Sequence, residues 1–309
     1  MTGFNNQAFT TLVEDLLNDA FYLEARSFRG TISTIRQYAE VIVRKILDLS
    51  NEDYLTLGNK QILDKIKEKS NNNPLLLDAL KEITNIGNKC THTQSLERVT
   101  AEEVEKTIEH LFNLYAYLFI DYFNKYRFGI NEDIQSSFSI LPPIIRYIVL
   151  SEIYDGDTEN VSIIDKLSLA TLKAYDETQA ITWLEDRKYK LTNMTSVTTE
   201  AAQDLKDKIG ESTANIIISQ APNMFDLCMK RVKIVAKTIQ EKGRLYDDFE
   251  SAIELYKEKG IVEGETDEIS KFNNLMDFVY LGRKTRTNEK LDDKDSYILM
   301  DNLTFDINC

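Results

Sequence analysis

Apolar side chains recur every three or four residues through most of the chain, and this spacing predicts a mainly α-helical fold. In the first part of the chain the pattern predicts helices over residues 9–21, 32–46, 60–68, 74–87 and 101–125. Pro74 suits the first turn of its helix, and Gly87 suits the left-handed conformation that ends one. Thr100 and Glu103 form a capping-box signal for the last of these helices. We therefore predict an N-terminal four-helix bundle in residues 1–127, with the short helix over 60–68 as an addition to its four main helices.

The pattern changes after residue 127, and Pro142 with Pro143 supports a domain boundary there. Three predicted helices, two β-leaning segments and a further helix follow, over residues 143–154, 163–172, 177–188, 189–191, 195–199 and from 200 onward. This order resembles a winged helix-turn-helix, which we predict for residues 138–210. A helical extension is predicted for residues 211–309, and its apolar end at 297–305 favours docking onto the same chain or onto a partner protein.

The net charge and the cysteine content of the chain limit the classes of function that we expect. The 309 residues include 51 acidic and 37 basic side chains, a net charge of −14. Such a charge disfavours a surface built throughout for nucleic acid, although it allows a local basic groove. The third helix of the predicted winged domain sets Glu185 and Asp186 beside Arg187 and Lys188, so we expect protein contact there rather than DNA binding. The scattered cysteines and histidines predict no disulfide, metal site or cofactor.

No membrane contact is predicted. The most apolar segment, residues 111–123, is shorter than the ~20 residues needed to cross a bilayer and has Glu109 and Asp121 near its ends. The N-terminal residues show no basic stretch leading into an apolar run, so no signal peptide is predicted. We expect a cytoplasmic protein.

Residues 84–92, Thr-Asn-Ile-Gly-Asn-Lys-Cys-Thr-His, end at His92, one of only two histidines. Upstream, Arg36 and Glu40 lie one turn apart on one face of a predicted helix. Together with the order of the helices between them, these residues resemble the HEPN superfamily of all-helical domains, in the branch with a Gly-Asn-x-x-x-His motif. The resemblance covers roughly residues 5–126. It implies a relation to bacterial restriction, abortive-infection and toxin–antitoxin proteins, many of which cut RNA.

The resemblance implies a metal-independent ribonuclease, in which the 2′-hydroxyl of the RNA attacks the adjacent phosphate. Histidine suits this chemistry because it accepts and donates protons near neutral pH. By the resemblance, His92 would transfer the proton and Asn88 would orient the phosphate or the imidazole. Arg36 would offset the charge on the phosphate, and Glu40 would hold Arg36 in place. Two such motifs usually meet across a homodimer interface.

The motif of the family includes an arginine that this chain lacks, because the two corresponding positions hold Gly87 and Thr84. Lys81, Lys89 or Arg98 could supply positive charge instead. The ammonium group of a lysine, however, lacks the two-pronged geometry with which a guanidinium binds a phosphate.

Each candidate residue also has a structural interpretation. His92 could cap carbonyl groups at the end of its helix or pack on the next helix. Arg36 with Glu40 could form a structural salt bridge that ties the second helix to the Gly-Asn loop. His110, on the helix predicted over 101–125, is expected to be a partly buried structural residue.

Two functions therefore stay open. The first is a bacterial antiviral-defence or toxin–antitoxin protein that acts on RNA, forms a homodimer through its HEPN-like domain and binds a partner protein through its C-terminal half. The second is a non-catalytic HEPN-like module for dimerisation or docking. A third interpretation, an acidic mimic of nucleic acid, would need charge ordered along one surface.

Overall fold

The computed structural model describes residues 3–23, 26–92 and 96–285, and these confirm the prediction of a mainly α fold. Within the described residues the β-structure is limited to an isolated antiparallel bridge between Thr195 and Asn223. The apolar segment at 297–305 lies outside the described residues. No helix of the described part is both long and apolar enough to cross a membrane.

The described residues divide into two compact units, residues 3–126 with Ile253–Thr285, and Arg127–Ala252. The first unit contains α1 (Asn6–Leu17), a π-helical turn (Asn18–Tyr22), α2 (Phe28–Leu47), α3 (Lys60–Lys69), α4 (Pro74–Thr91) and α5 (Ala101–Lys125). The second contains α6 (Glu132–Phe138), α7 (Pro143–Gly156), α8 (Val161–Ala174), α9 (Glu177–Glu185), α10 (Lys188–Thr192), α11 (Thr199–Ile209), α12 (Glu211–Gln220) and α13 (Met224–Lys242). Then α14 (Phe249–Lys259) spans the boundary, and α15 (Asp267–Tyr280) belongs to the first unit.

Helices α2, α4 and α5 form the centre of the first unit, and α1 and α15 pack at its sides. Tyr38 of α2 and Tyr115 of α5 are fully buried there, and their hydroxyl oxygens lie 2.6 Å apart. Arg283, which follows α15, reaches the same place and donates from Nη2 to the Tyr115 hydroxyl at 2.9 Å. The segment after α15 is therefore anchored in the core of this unit by buried hydrogen bonds between these three side chains.

One predicted helix end in the first unit is wrong. Gly87 lies inside α4, which continues to Thr91. A Cβ atom at this position would come within 2.4 Å of Cδ of Arg36, on α2. Close packing between two helices, rather than a left-handed helix end, therefore accounts for this glycine.

The two-stranded ribbon predicted for the second unit is also wrong. Residues 188–192 form α10, and Thr195 pairs with Asn223 instead of with that segment. Leu191 is fully buried where α10 packs against α13, and the ammonium group of Lys188 lies 4.9 Å from the ring centre of Phe225. Burial of the leucine side chain thus outweighs the weak β propensity of the segment.

Candidate functional site

The C-terminal end of α4 carries the histidine of the predicted motif. Asn73 caps the start of the helix by accepting the Leu76 N–H at 3.1 Å. His92 follows the last helical residue, has an extended backbone, and donates its N–H to the Asn88 carbonyl at 3.1 Å. Its side chain is exposed, and Asn88 lies one helical turn before it and is half-buried. These two predicted site residues therefore share one face of α4.

Arg36 and Glu40 meet on α2, as their spacing predicted. Nη1 of Arg36 lies 3.8 Å from Oε1 of Glu40, and the Arg36 side chain is only 14% exposed. Its aliphatic part rests on Gly87, while its Nε atom is buried without a hydrogen-bond partner. Burial raises the pKa of Glu40, although the Leu57 N–H at 3.4 Å and the Arg36 charge act in the opposite direction. This geometry is that of a partly buried ion pair within α2.

Of the four predicted residues, Arg36 and Glu40 form an ion pair, and His92 and Asn88 are joined by a backbone hydrogen bond. Arg36 contacts α4 at Gly87, and Asn88 is the next residue, about 100° around the helix. His92 lies five residues beyond Gly87, about 7.5 Å further along the axis. The Arg36 side chain thus contacts α4 at Gly87, about one helical turn before the end of the helix.

A different guanidinium, that of Arg29 on α2, lies at the histidine end. Its Nη1 donates to the carbonyls of Lys89 at 2.6 Å and Cys90 at 3.2 Å, and its Nη2 donates to the carbonyl of Glu97 at 3.1 Å. These bonds join the start of α2, the end of α4 and the loop before α5. The sequence contains a signal for this residue, because Arg29 precedes Arg36 by two helical turns on the same polar stripe.

A groove of about 770 Å³ beside Asn88 runs between α4 and α5. Carboxylates predominate among its charged groups, which are Glu82, Lys89, Glu102, Glu103 and Lys106. The ammonium group of Lys106 lies 2.9 Å from Glu82, lowers the pKa of that carboxyl and has its own pKa raised in return. Nζ of Lys89 lies 3.9 Å from carboxylates of both Glu97 and Glu103. The groove is therefore a poor place for a phosphate group.

The other predicted sources of positive charge, and the histidine predicted to be structural, lie apart from this groove. Lys81 and Arg98 are exposed. Both ring nitrogens of His110 are buried without hydrogen-bond partners, and burial lowers its pKa against the opposing charge of Glu82. Among the described residues, no cluster of three or more histidine, cysteine or acidic side chains is arranged to hold a metal ion.

Comparison of the chain with family models, with curated proteins and with solved structures gives no match. The assignment of a function therefore depends on the residues and the geometry described above.

Proposed function

We propose that the chain is a HEPN-type, RNA-acting protein of bacterial antiviral defence or toxin–antitoxin systems, and that the histidine end of α4 is its acting surface. The observation that supports this proposal best is the exposed His92 side chain, one turn after Asn88. An exposed imidazole can receive the proton of an RNA 2′-hydroxyl and return one to the leaving oxygen without a metal ion.

A second copy of the chain would complete the site. A single histidine would have to act as base and acid in turn, whereas the His92 of a second chain would supply a separate acid for the leaving oxygen. Phe28 and Leu96 are 47% and 94% exposed. Phe28 precedes Arg29 in the chain and Leu96 precedes Glu97, and the Arg29 side chain donates a hydrogen bond to the Glu97 carbonyl. Exposed apolar side chains at the same end as His92 suit a dimer interface, because their burial favours association.

In this proposal Arg29 and Arg36 are positioning residues. Arg29 offsets the partial negative charge at the C-terminal end of α4, where an RNA phosphate would otherwise be repelled. Arg36 holds α2 against Gly87. Because both are engaged inside the fold, we expect slow cleavage. The loss of one charge-stabilising group commonly costs ~3 kcal/mol, or about 100-fold in rate.

The test is cleavage of end-labelled total tRNA and of a long mRNA in EDTA. Wild type should leave 2′,3′-cyclic phosphate ends, and His92→Ala should lose this activity while keeping its thermal unfolding midpoint. His110→Gln is the matched control, because it removes the other histidine and should still cut. Equal cutting by wild type and His92→Ala would exclude His92 from the reaction.

A second candidate is a non-catalytic docking or dimerisation module, and a specific observation favours it. The arginine expected to hold the phosphate, Arg36, packs on Gly87 and faces Glu40. This candidate predicts that the protein does not cleave RNA and that it sediments as a dimer in analytical ultracentrifugation. The Leu96→Asp variant should sediment as a monomer. A protein that neither cuts RNA nor forms a dimer through this end would contradict both candidates.

A further inference from the structure

The outer face of α13 carries an exposed basic stripe. Lys230, Lys233 and Lys237 are exposed at helical spacing, and Ile234 between them is 42% exposed. Residues spaced in this way lie on one side of a helix. The opposite side of α13 is buried against α8 and α9 through Phe225, Cys228, Val232 and Val235. The stripe is therefore a surface of the second unit and not part of its core.

The charges of this stripe are only partly compensated. Lys237 lies 3.7 Å from Glu241, in an exposed pair. The side chains of Lys230 and Lys233 make no ion pair or hydrogen bond with any residue that the structure describes. Three ammonium groups around an isoleucine are unusual on a chain with a net charge of −14. A matching partner would combine acidic groups with apolar side chains.

One segment of the chain has this composition. Residues 291–309 lie outside the described residues, and their sequence contains one lysine and five aspartates, which are Asp292, Asp293, Asp295, Asp301 and Asp306. The same segment contains Tyr297, Ile298, Leu299, Met300, Leu303 and Phe305. Its charge is opposite to that of the α13 stripe, and its apolar residues are suited to contact Ile234.

We propose that the acidic, apolar segment 291–309 docks on the basic stripe of α13 of the same chain. Tethering supports an intramolecular contact, since joining two segments in one chain gives effective concentrations of order millimolar and makes a weak interface sufficient. RNA is the less suitable occupant. Three lysines neutralise few phosphates, and the remaining surface is acidic overall. The proposal is independent of any reaction at His92.

Zero-length crosslinking of the full-length protein tests the contact directly, because a carbodiimide joins a carboxylate to an amine only when the two groups touch. We expect amide crosslinks from Lys230, Lys233 or Lys237 to aspartates of 291–309, identified by mass spectrometry. A mixture of ¹⁴N- and ¹⁵N-labelled protein should give no mixed-isotope crosslinks. Mixed crosslinks would show docking between two copies and would overturn the intramolecular proposal.

Charge reversal provides the control. The control variant replaces the three lysines of the stripe by glutamate. Because this change removes the amines that would react, the readout is the rate at which a protease cleaves segment 291–309. That rate should rise about tenfold for the loss of three exposed ion pairs. Changing Asp292, Asp293 and Asp295 to lysine in the same protein should restore protection. Lys208→Glu, on the exposed side of α11, should change nothing. If wild type gives no crosslinks and the triple variant loses RNA binding instead, the stripe is a nucleic-acid surface and the proposal fails.

Discussion

At the scale of single residues, Gly87 is the position where packing and helix propensity oppose each other most clearly. Alanine at an internal helical site is favoured over glycine by about 1 kcal/mol. Here its Cβ would approach Cδ of Arg36 to 2.4 Å, and overpacking costs ~1–3 kcal/mol. We predict that Gly87→Ala lowers the free energy of urea unfolding by up to about 2 kcal/mol.

The matched control for that substitution is Gly156, the last residue of α7, where a Cβ would meet nothing within 4 Å. Gly156→Ala should leave the free energy of unfolding unchanged or raise it by up to about 1 kcal/mol. If both alanine variants stabilise the protein equally, Arg36 adapts freely, and the packing argument for Gly87 is wrong.

A second prediction at this scale concerns the buried hydroxyl of Tyr115. It lies 2.6 Å from the Tyr38 hydroxyl and accepts from Arg283 at 2.9 Å, so Tyr115→Phe deprives two buried groups of a partner. An unsatisfied buried group costs ~1–3 kcal/mol, more when it is charged. We expect a loss of about 2 kcal/mol or more in urea unfolding. Tyr54→Phe, at a residue 78% exposed, should change stability by less than ~0.5 kcal/mol, and an equal effect of the two would contradict the prediction.

At the scale of helices, the features predicted most accurately from the sequence are those that neighbouring residues determine. The capping box is present as predicted, since Thr100 Oγ1 accepts the Glu103 N–H at 3.2 Å and Glu103 Oε2 accepts the Thr100 N–H at 3.1 Å. The pairing of Arg36 with Glu40 also follows from their spacing alone. Residues 188–192 were predicted incorrectly, because burial of Leu191 depends on contact with α13, which local pattern does not reveal.

The candidate site was predictable to a similar extent. The sequence placed Asn88 and His92 in one motif but predicted that the helix ends at Gly87, whereas α4 continues to Thr91 and brings the two residues about one turn apart. It did not predict that Arg36 would lie over Gly87 or that Arg29 would reach the end of α4. Both contacts are set by how α2 crosses α4, and that crossing depends on packing between helices far apart in sequence.

Arg29 leads to a prediction for this group of helices. Arg29→Met removes three hydrogen bonds to carbonyls at the end of α4 and in the following loop. Two of these bonds are exposed to solvent, so we expect a total loss of about that of one charged hydrogen bond, ~1.5–3 kcal/mol, with faster amide hydrogen exchange confined to residues 88–92 and 96–99. Arg29→Lys should restore part of the protection. Unchanged exchange in this segment would show that Arg29 does not hold the end of α4.

At the scale of the whole molecule, the excess of acidic groups sets the expected response to pH. With a net charge of −14, deprotonation at alkaline pH adds self-repulsion and should generally destabilise the fold. Lys45 of α2 should act in the opposite direction. Its ammonium group lies 4.9 Å from the ring centre of Phe4 and 5.5 Å from that of Phe278, and it donates to side-chain oxygens of Asn6 and Asn274.

Burial lowers the pKa of Lys45 to about 8, against the opposing charges of Asp48 and Asp277. Below pH 8 the lysine is charged in both the folded and the unfolded chain, so the full cost of burying the charge is present. Between pH 8 and its ordinary pKa of 10.5, the unfolded chain binds the proton more strongly. The contribution of Lys45 to the free energy of unfolding therefore rises with pH, by at most ~1.4 kcal/mol per unit. Lys45→Arg stays charged throughout this range and should lose the rise. The measurement is urea unfolding of both proteins at pH 7.5, 8.5 and 9.5, and parallel curves would mean that Lys45 titrates normally.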